Sequence, residues 1–248
     1  MLKNTALITG ASKRLGREMA IFLAQKNYDL VLHYNTAKQE ALNLQAEIIN
    51  KYSVKCHLVS FDLLDAKQVE NSASIFADFS INLLINNASI FSKSQFLDQQ
   101  QWHQLADNLG IHLTSPLVLA KHFAYHCLQK KLPQAQIINM LDKNIARYDT
   151  SCFFYLLSKK FLAEATKMLS LELAPHIRVN GIAPGFILSS VNESNPQAEK
   201  EKIGKLIPLK HIGNPSNITS ALDFLLTNNF ITGQIIFVDG GASLNHAG

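Results

Sequence analysis

Tyr155 and Lys159 stand four residues apart, and Asp142 stands thirteen residues ahead of the tyrosine. A four-residue step places two side chains on one helix face. A phenol with an ordinary pKa of about 10 is a sluggish acid or base near neutrality, and a neighbouring ammonium favours its ionised form. Such a pair can exchange a proton with a substrate. Asp142 closes the apolar run Ile137-Ile138-Asn139-Met140-Leu141 and adds a carboxyl group. A carboxylate repels the oxyanion that a hydroxyl donor would stabilise during reduction of a carbonyl. It suits instead an amino-pyrimidine ring, or a ring nitrogen that must gain a proton.

A second constellation lies near the start, in Thr9-Gly10-Ala11-Ser12-Lys13-Arg14-Leu15-Gly16. Glycine at a strand-to-helix turn lets the backbone approach a pyrophosphate, which the helix N-terminus stabilises. Selection of NAD rests on an acid roughly twenty residues further on, bonded to the ribose 2′-hydroxyl. Here the second strand ends in His33-Tyr34-Asn35-Thr36, without an acid. Lys13 and Arg14 in the turn can instead neutralise a 2′-phosphate, with Asn35 and Thr36 beside it and His33 among the cofactor contacts, so the expected cofactor is NADPH.

The elements that must position these groups follow from hydrophobic patterning. Apolar runs at Thr5–Thr9, Asp29–Tyr34, Lys55–Ser60, Asn82–Asn86, Gln136–Leu141, Ile177–Ala183 and Gln234–Val238 alternate with helix-period segments such as Leu15–Gln25. Unbroken apolar strands separated by helices mean a parallel sheet covered on both faces. The expectation is one α/β domain over residues 1–248: a three-layer Rossmann fold with a doubly wound, seven-stranded parallel sheet. The polar stretch Phe186–Gly213 follows a strand end at Pro184-Gly185, where ligands bind in such sheets, and is expected to form a substrate lid.

The 248-residue chain is 47% hydrophobic and 17% charged, with a formal net charge of +4. No run of basic residues resembles a nucleic-acid patch. No apolar stretch approaches the ~18 residues needed to span a bilayer, and none resembles a signal peptide. Cys56, Cys127 and Cys152 show neither disulfide nor metal-ligand spacing, which points to reduced thiols, no metal and a cytoplasmic protein. The segments Pro116–Lys130 and Tyr155–Leu171 carry apolar residues over much of their circumference (Leu117, Leu119, Phe123; Phe161, Leu162, Met168, Leu169), which predicts a homo-oligomer.

Taken in order, Thr9-Gly10…Gly16, Asp62, Asn86-Asn87-Ala88, Tyr155…Lys159, Asn180…Pro184-Gly185 and Val238-Asp239-Gly240-Gly241 resemble the short-chain dehydrogenase/reductase superfamily over essentially the full chain. The resemblance implies that Lys159 also holds the nicotinamide ribose, that Asp62 and Leu63 border adenine, and that Asn87, Ala88, Pro184 and Gly185 line the cofactor's path. It implies pairing of the two long helices between subunits, often giving tetramers.

Four departures narrow it. Asp142 replaces the usual serine, Arg14 replaces the middle glycine of the turn, Ser89 replaces the last glycine of Asn-Asn-Ala-Gly, and Phe91 follows. This combination resembles the pteridine reductases and the bacterial dihydromonapterin/dihydrofolate reductases of the same superfamily. That implies reduction of a pterin or folate framed by Ser89 and Phe91, with Asp142, Tyr155 and Lys159 managing the proton. His112 aligns with the superfamily's relay asparagine and is expected to hold a water or titrate. Two rival readings are a carbonyl or 3-oxoacyl thioester reductase, and a dinucleotide-binding interaction protein without catalysis.

Overall fold

The computed structural model describes residues 3–98, 101–187 and 197–244. Seven strands, β1 (Thr5–Ile8), β2 (Asp29–Tyr34), β3 (Cys56–Ser60), β4 (Leu83–Asn86), β5 (Ala135–Met140), β6 (Ile177–Pro184) and β7 (Ile235–Val238), form one sheet in the order β3-β2-β1-β4-β5-β6-β7. All six pairings are parallel. The sequence-based strand limits differ by about one residue at an end, and the doubly wound order is the expected one. Reversal between β1 and β4 opens a crevice at the carboxyl ends of these strands, where both constellations converge.

The covering helices are α1 (Arg14–Gln25), α2 (Lys38–Lys51), α3 (Ala66–Asn71), α4 (Ala73–Phe79), α5 (His103–Leu109), α6 (Ser115–Lys130), α7 (Phe153–Glu172), α8 (Gln197–Leu206) and α9 (Pro215–Thr227). On one face α1 and α9 bury Met19, Leu23, Leu222 and Leu225 against Ile8, Leu30 and Ile182. On the other, α4 and α6 press Phe76, Leu119 and Phe123 onto Leu7, Leu84 and Ile137. Such unbroken burial of Val, Ile and Leu on both faces is what parallel strands require.

Two features position the reactive end. A π-helical turn at Gly110–Thr114 joins α5 to α6 and inserts an extra residue, which aims His112 inward. A buried amide chain crosses the sheet: Asn86 Nδ2 donates to Asn139 Oδ1, and Asn139 Nδ2 donates to Thr166 Oγ1, each at 2.9 Å. It locks together β4, β5 and α7, and the last two deliver Asp142 and Tyr155.

The apolar circumference expected of α6 and α7 is partly consumed by the protein's own core. Leu119, Phe123 and Leu162 are buried, whereas Tyr125, Leu128, Phe161, Met168 and Leu171 remain exposed. Of the expected lid, residues 188–196 lie outside the described residues. The described part includes α8 and the Ile187–Gly213 bridge. Among the described residues no helix is long and apolar enough to cross a membrane.

The first turn tolerates no extra carbon at Gly16, whose added Cβ would sit 2.3 Å from Gly10 O and 2.8 Å from Asn87 Nδ2. Because a backbone oxygen is the obstacle, Gly16→Ala is expected to lower the unfolding free energy by about 2 kcal/mol. A shifted denaturant midpoint at unchanged slope checks this.

Candidate active site

The crevice is a cleft of about 720 Å³ running from the β1–α1 turn to β5 and α7. At its first end Gly10 adopts φ +61° against Ala88, a conformation suited to glycine. Arg14 adopts φ +49°, a left-handed conformation that costs a non-glycine residue roughly 1 kcal/mol. A glycine at this place would avoid that cost.

The turn is braced from beneath by groups whose polar atoms are already committed. Asn87 Nδ2 donates to Thr9 O at 2.9 Å and Gly10 O at 3.1 Å. Thr9 Oγ1 accepts the Asn87 and Ala88 backbone N–H groups at 2.9 and 3.0 Å. Gly10 N–H donates to His33 Nδ1 at 3.2 Å, and His33 Nε2–H donates to Phe61 O at 2.9 Å. Burial pushes His33 down to about 4, so it stays neutral with both ring nitrogens used. His33 and Asn87 were expected as cofactor contacts; they line the cleft, but their hydrogen bonds hold the turn itself.

At the β2 end Asn35 and Thr36 line the cleft as expected, with no acid between them. Lys13 lines it too, but its Nζ is ion-paired with Glu40 Oε1 of α2 at 2.6 Å, with both side chains largely exposed. The expected pair of free cations is therefore one cation, Arg14, and one already balanced lysine. Leu15, Asp62, Leu63, Pro184 and Gly185 also line the cleft. Asp62 Oδ1 accepts the Leu64 N–H at 2.9 Å, which shapes the loop after β3.

At the other end Tyr155 Oη donates to Asp142 Oδ2 at 2.9 Å, and Asp142 Oδ1 accepts the Asn144 N–H at 2.7 Å. The second bond caps the 3-10 turn Lys143–Ala146 and points the carboxylate at the tyrosine. Lys159 is 2% exposed, and its Nζ donates to Met140 O at 2.8 Å. Burial lowers its pKa to about 8, against the opposing pull of Asp142.

Tyr155 departs from expectation. Its pKa is raised well above the ordinary phenol value, first by burial, then by the Asp142 charge and hydrogen bond. The ammonium of Lys159 lies 5.9 Å from the centroid of the phenol ring and gives one of its three hydrogens to a backbone carbonyl. The tyrosine is thus held protonated, where spacing alone pointed to an activated phenolate.

Phe91 stands 67% exposed at the cleft, its ring edge-on to Tyr155 with centroids 4.9 Å apart. Its loop is pinned to the start of α7, where Ser94 N–H donates to Ser151 O and Phe153 N–H to Ser94 O, each at 3.1 Å. Ser89 lies beside it at the cleft wall. Of the expected site residues only His112 does not line the cleft. It is 1% exposed, packs edge-on to Tyr155 at 5.3 Å, and has Ser89 Oγ and Ser158 Oγ each 2.8 Å from a ring nitrogen. Burial drives it down to about 2, so it neither titrates near neutrality nor spares a nitrogen for water. Ser158 was missed, although its place one helical turn after Tyr155 is a readable signal. Ser12, Tyr34, Ala37, Ile111 and Met140 also line the cleft without having been singled out.

Comparison with known proteins accords with this geometry. Residues 10–243 match a family model described as Enoyl-(Acyl carrier protein) reductase. The uncharacterized oxidoreductase YmfI of Bacillus subtilis (strain 168) is 30% identical over 245 residues, covering 97% of this chain and 99% of that protein. The 3-oxoacyl-[acyl-carrier-protein] reductase FabG of Staphylococcus aureus (strain Mu50 / ATCC 700699) is 29% identical over 257 residues, covering 97% and 98%. Among solved structures, FolM alternative dihydrofolate reductase 1 from Brucella suis, in complex with NADP, superposes with a TM-score of 0.86 at 28% identity, covering 99% of this chain and 97% of that one. Its counterpart from Brucella canis, complexed with NADP, also gives 0.86 at 28% identity. With the ordered motifs, the doubly wound sheet and the Tyr155–Lys159 pair on one cleft, the chain belongs to the short-chain dehydrogenase/reductase superfamily of oxidoreductases.

Proposed function

We propose that this protein reduces a pterin or dihydropterin, such as dihydromonapterin, dihydrobiopterin or dihydrofolate, to its tetrahydro form at the expense of NADPH. The observation that carries the reading is the 2.9 Å hydrogen bond from Tyr155 Oη to the Asp142 carboxylate. The FabG relative is named for reduction of a 3-oxoacyl group, and the FolM neighbours for reduction of dihydrofolate. The two substrates differ in the atom that gains the proton, oxygen in one and nitrogen in the other. A carboxylate at the reacting corner opposes an oxyanion and favours nitrogen.

The residues present fit NADPH. The α1 N-terminus carries no acid in its first turn, Arg14 lines the cleft there, and Asn35 and Thr36 stand where an NAD-selective acid would be. In this reading Gly10, Lys13, Arg14 and Leu15 hold phosphates, with Lys13 released from Glu40. Asp62 and Leu63 border adenine, Ala88, Pro184 and Gly185 face the nicotinamide half, and Lys159 holds its ribose. When bound, NADPH supplies the hydride.

The chain supplies orientation and the proton. Phe91 offers an exposed aromatic face on which a flat heterocycle stacks. Asp142 accepts N–H groups from the ring edge. Once its oxygens turn to the substrate, the Tyr155 hydrogen is free to pass to the ring nitrogen. Tyr155 is the proton donor in this account, and Asp142 grips the ring. The exposed apolar residues of α6 and α7 form a homo-oligomer contact, dimeric or tetrameric. A solution mass of twice or four times 27.6 kDa is expected by light scattering.

Replacing Asp142 by serine is expected to lower kcat/KM for a dihydropterin by about two orders of magnitude. The same change should leave turnover of a 3-oxoacyl thioester equal or faster. A loss confined to the thioester would contradict the reading.

The pH profile carries a second outcome. Lys159 loses its proton near pH 8, so the ammonium that holds the cofactor is present below that value and lost above it. The kcat/KM for NADPH is therefore expected to fall on the alkaline side with an apparent pKa of about 8, and Asp142→Asn should move that limb lower by removing a favourable charge. A profile flat to about pH 9.5 would contradict this assignment.

A further inference from the structure

Behind Tyr155, a hydrogen-bonded run of three side chains leads from the buried Ser158 through His112 to Ser89 at the cleft wall. Ser158, fully buried on α7, donates its hydroxyl hydrogen to Tyr155 O at 2.7 Å. A hydroxyl has one hydrogen, so Ser158 meets His112 Nδ1, 2.8 Å away, with a lone pair. Nδ1 therefore carries the imidazole hydrogen. A neutral ring has only one, and burial keeps this ring neutral. Its Nε2 must accept, and the donor in reach is Ser89 Oγ at 2.8 Å. The other acceptors near Ser89 are Ile90 O, farther at 3.3 Å, and Tyr155 Oη, and choosing either would leave two lone pairs facing each other across the 2.8 Å between Ser89 and His112. Tyr155 spends its own hydrogen on Asp142. The three hydroxyl hydrogens at this corner are thus all directed to protein acceptors, and Ser89 shows the cleft its lone pairs.

We propose that Ser158 and His112 are positioning residues that fix the Ser89 hydroxyl as a hydrogen-bond acceptor toward the cleft, so that Ser89 and Asp142 together select ring edges bearing N–H or NH2 groups and disfavour carbonyl groups that develop negative charge. The ligand class rests on the function proposed above, which it deepens. The selectivity originates in Ser158, which has no access to the cleft. A ligand that covers the exposed Ser89 hydroxyl without donating to it takes an acceptor out of water and leaves it unpaired, which discriminates against that ligand.

Two readouts test this. In protein labelled with 15N-histidine, NMR is expected to place the His112 proton on Nδ1, with the signal assigned by its loss in His112→Asn or, should that variant fold poorly, His112→Gln. In Ser158→Ala either tautomer leaves Nδ1 unpaired, so the preference disappears and the Ser89 hydrogen becomes free to turn into the cleft. The ratio of kcat/KM for a dihydropterin to that for a 3-oxoacyl thioester is then expected to fall about fivefold, and Ser158→Thr, which keeps the hydroxyl, to restore it. A wild-type His112 protonated on Nε2, or a ratio unchanged in Ser158→Ala, overturns the proposal. Wild-type protein with an Nδ1 proton but no dihydropterin turnover overturns the ligand class and supports the hydroxyl's direction.

Discussion

The hydrogen bond between Tyr155 and Asp142 joins the end of β5 to the first turn of α7, and the reactive end of the molecule is organised around it. Two supports make it possible. The Asn86–Asn139–Thr166 chain fixes α7 against β4 and β5. The Asn144 N–H fixes the carboxylate from its other oxygen. Beside a charged acceptor a buried phenol has one stable arrangement: it keeps its hydrogen and gives it to the carboxylate. In the proposed function, that arrangement decides which substrates the corner serves.

A superfamily serving many substrates on one sheet leaves its specificity to a few side chains at the strand ends. The relatives illustrate this, since proteins of comparable identity are named for 3-oxoacyl reduction and for dihydrofolate reduction. Overall likeness therefore ranks the two chemistries poorly. The acceptor character of Asp142 ranks them better, because charge repulsion at the reacting atom acts directly on the barrier. The cofactor end has a matching economy: Arg14 sits in a conformation glycine would occupy at no strain, and it brings the cleft a cation that Lys13, paired to Glu40, does not freely offer.

Much of this was legible from the chain alone. Seven apolar runs at α/β spacing are enough for a doubly wound sheet, because period and burial leave few alternatives. The positions of Asp142, Tyr155, Phe91 and Arg14 followed from motif order. What escaped were relations between residues distant in sequence. Glu40 neutralising Lys13 depends on how α2 lies across the first turn. The direction of the Tyr155 shift depends on burial, and four-residue spacing to a lysine carries no information about where that lysine's hydrogens go. His112 was legible as a position but not as a role, since Ser89 and Ser158 reach it only through the π-helical turn that rotates it inward.

The most direct test of the central claim is NADPH oxidation by the wild-type protein, measured side by side with dihydromonapterin, dihydrobiopterin, dihydrofolate and a 3-oxoacyl thioester. An acceptor-lined corner around a protonated tyrosine predicts that at least one of the dihydropterin substrates is turned over with a kcat/KM well above that of the thioester. Turnover of the thioester alone would contradict the account.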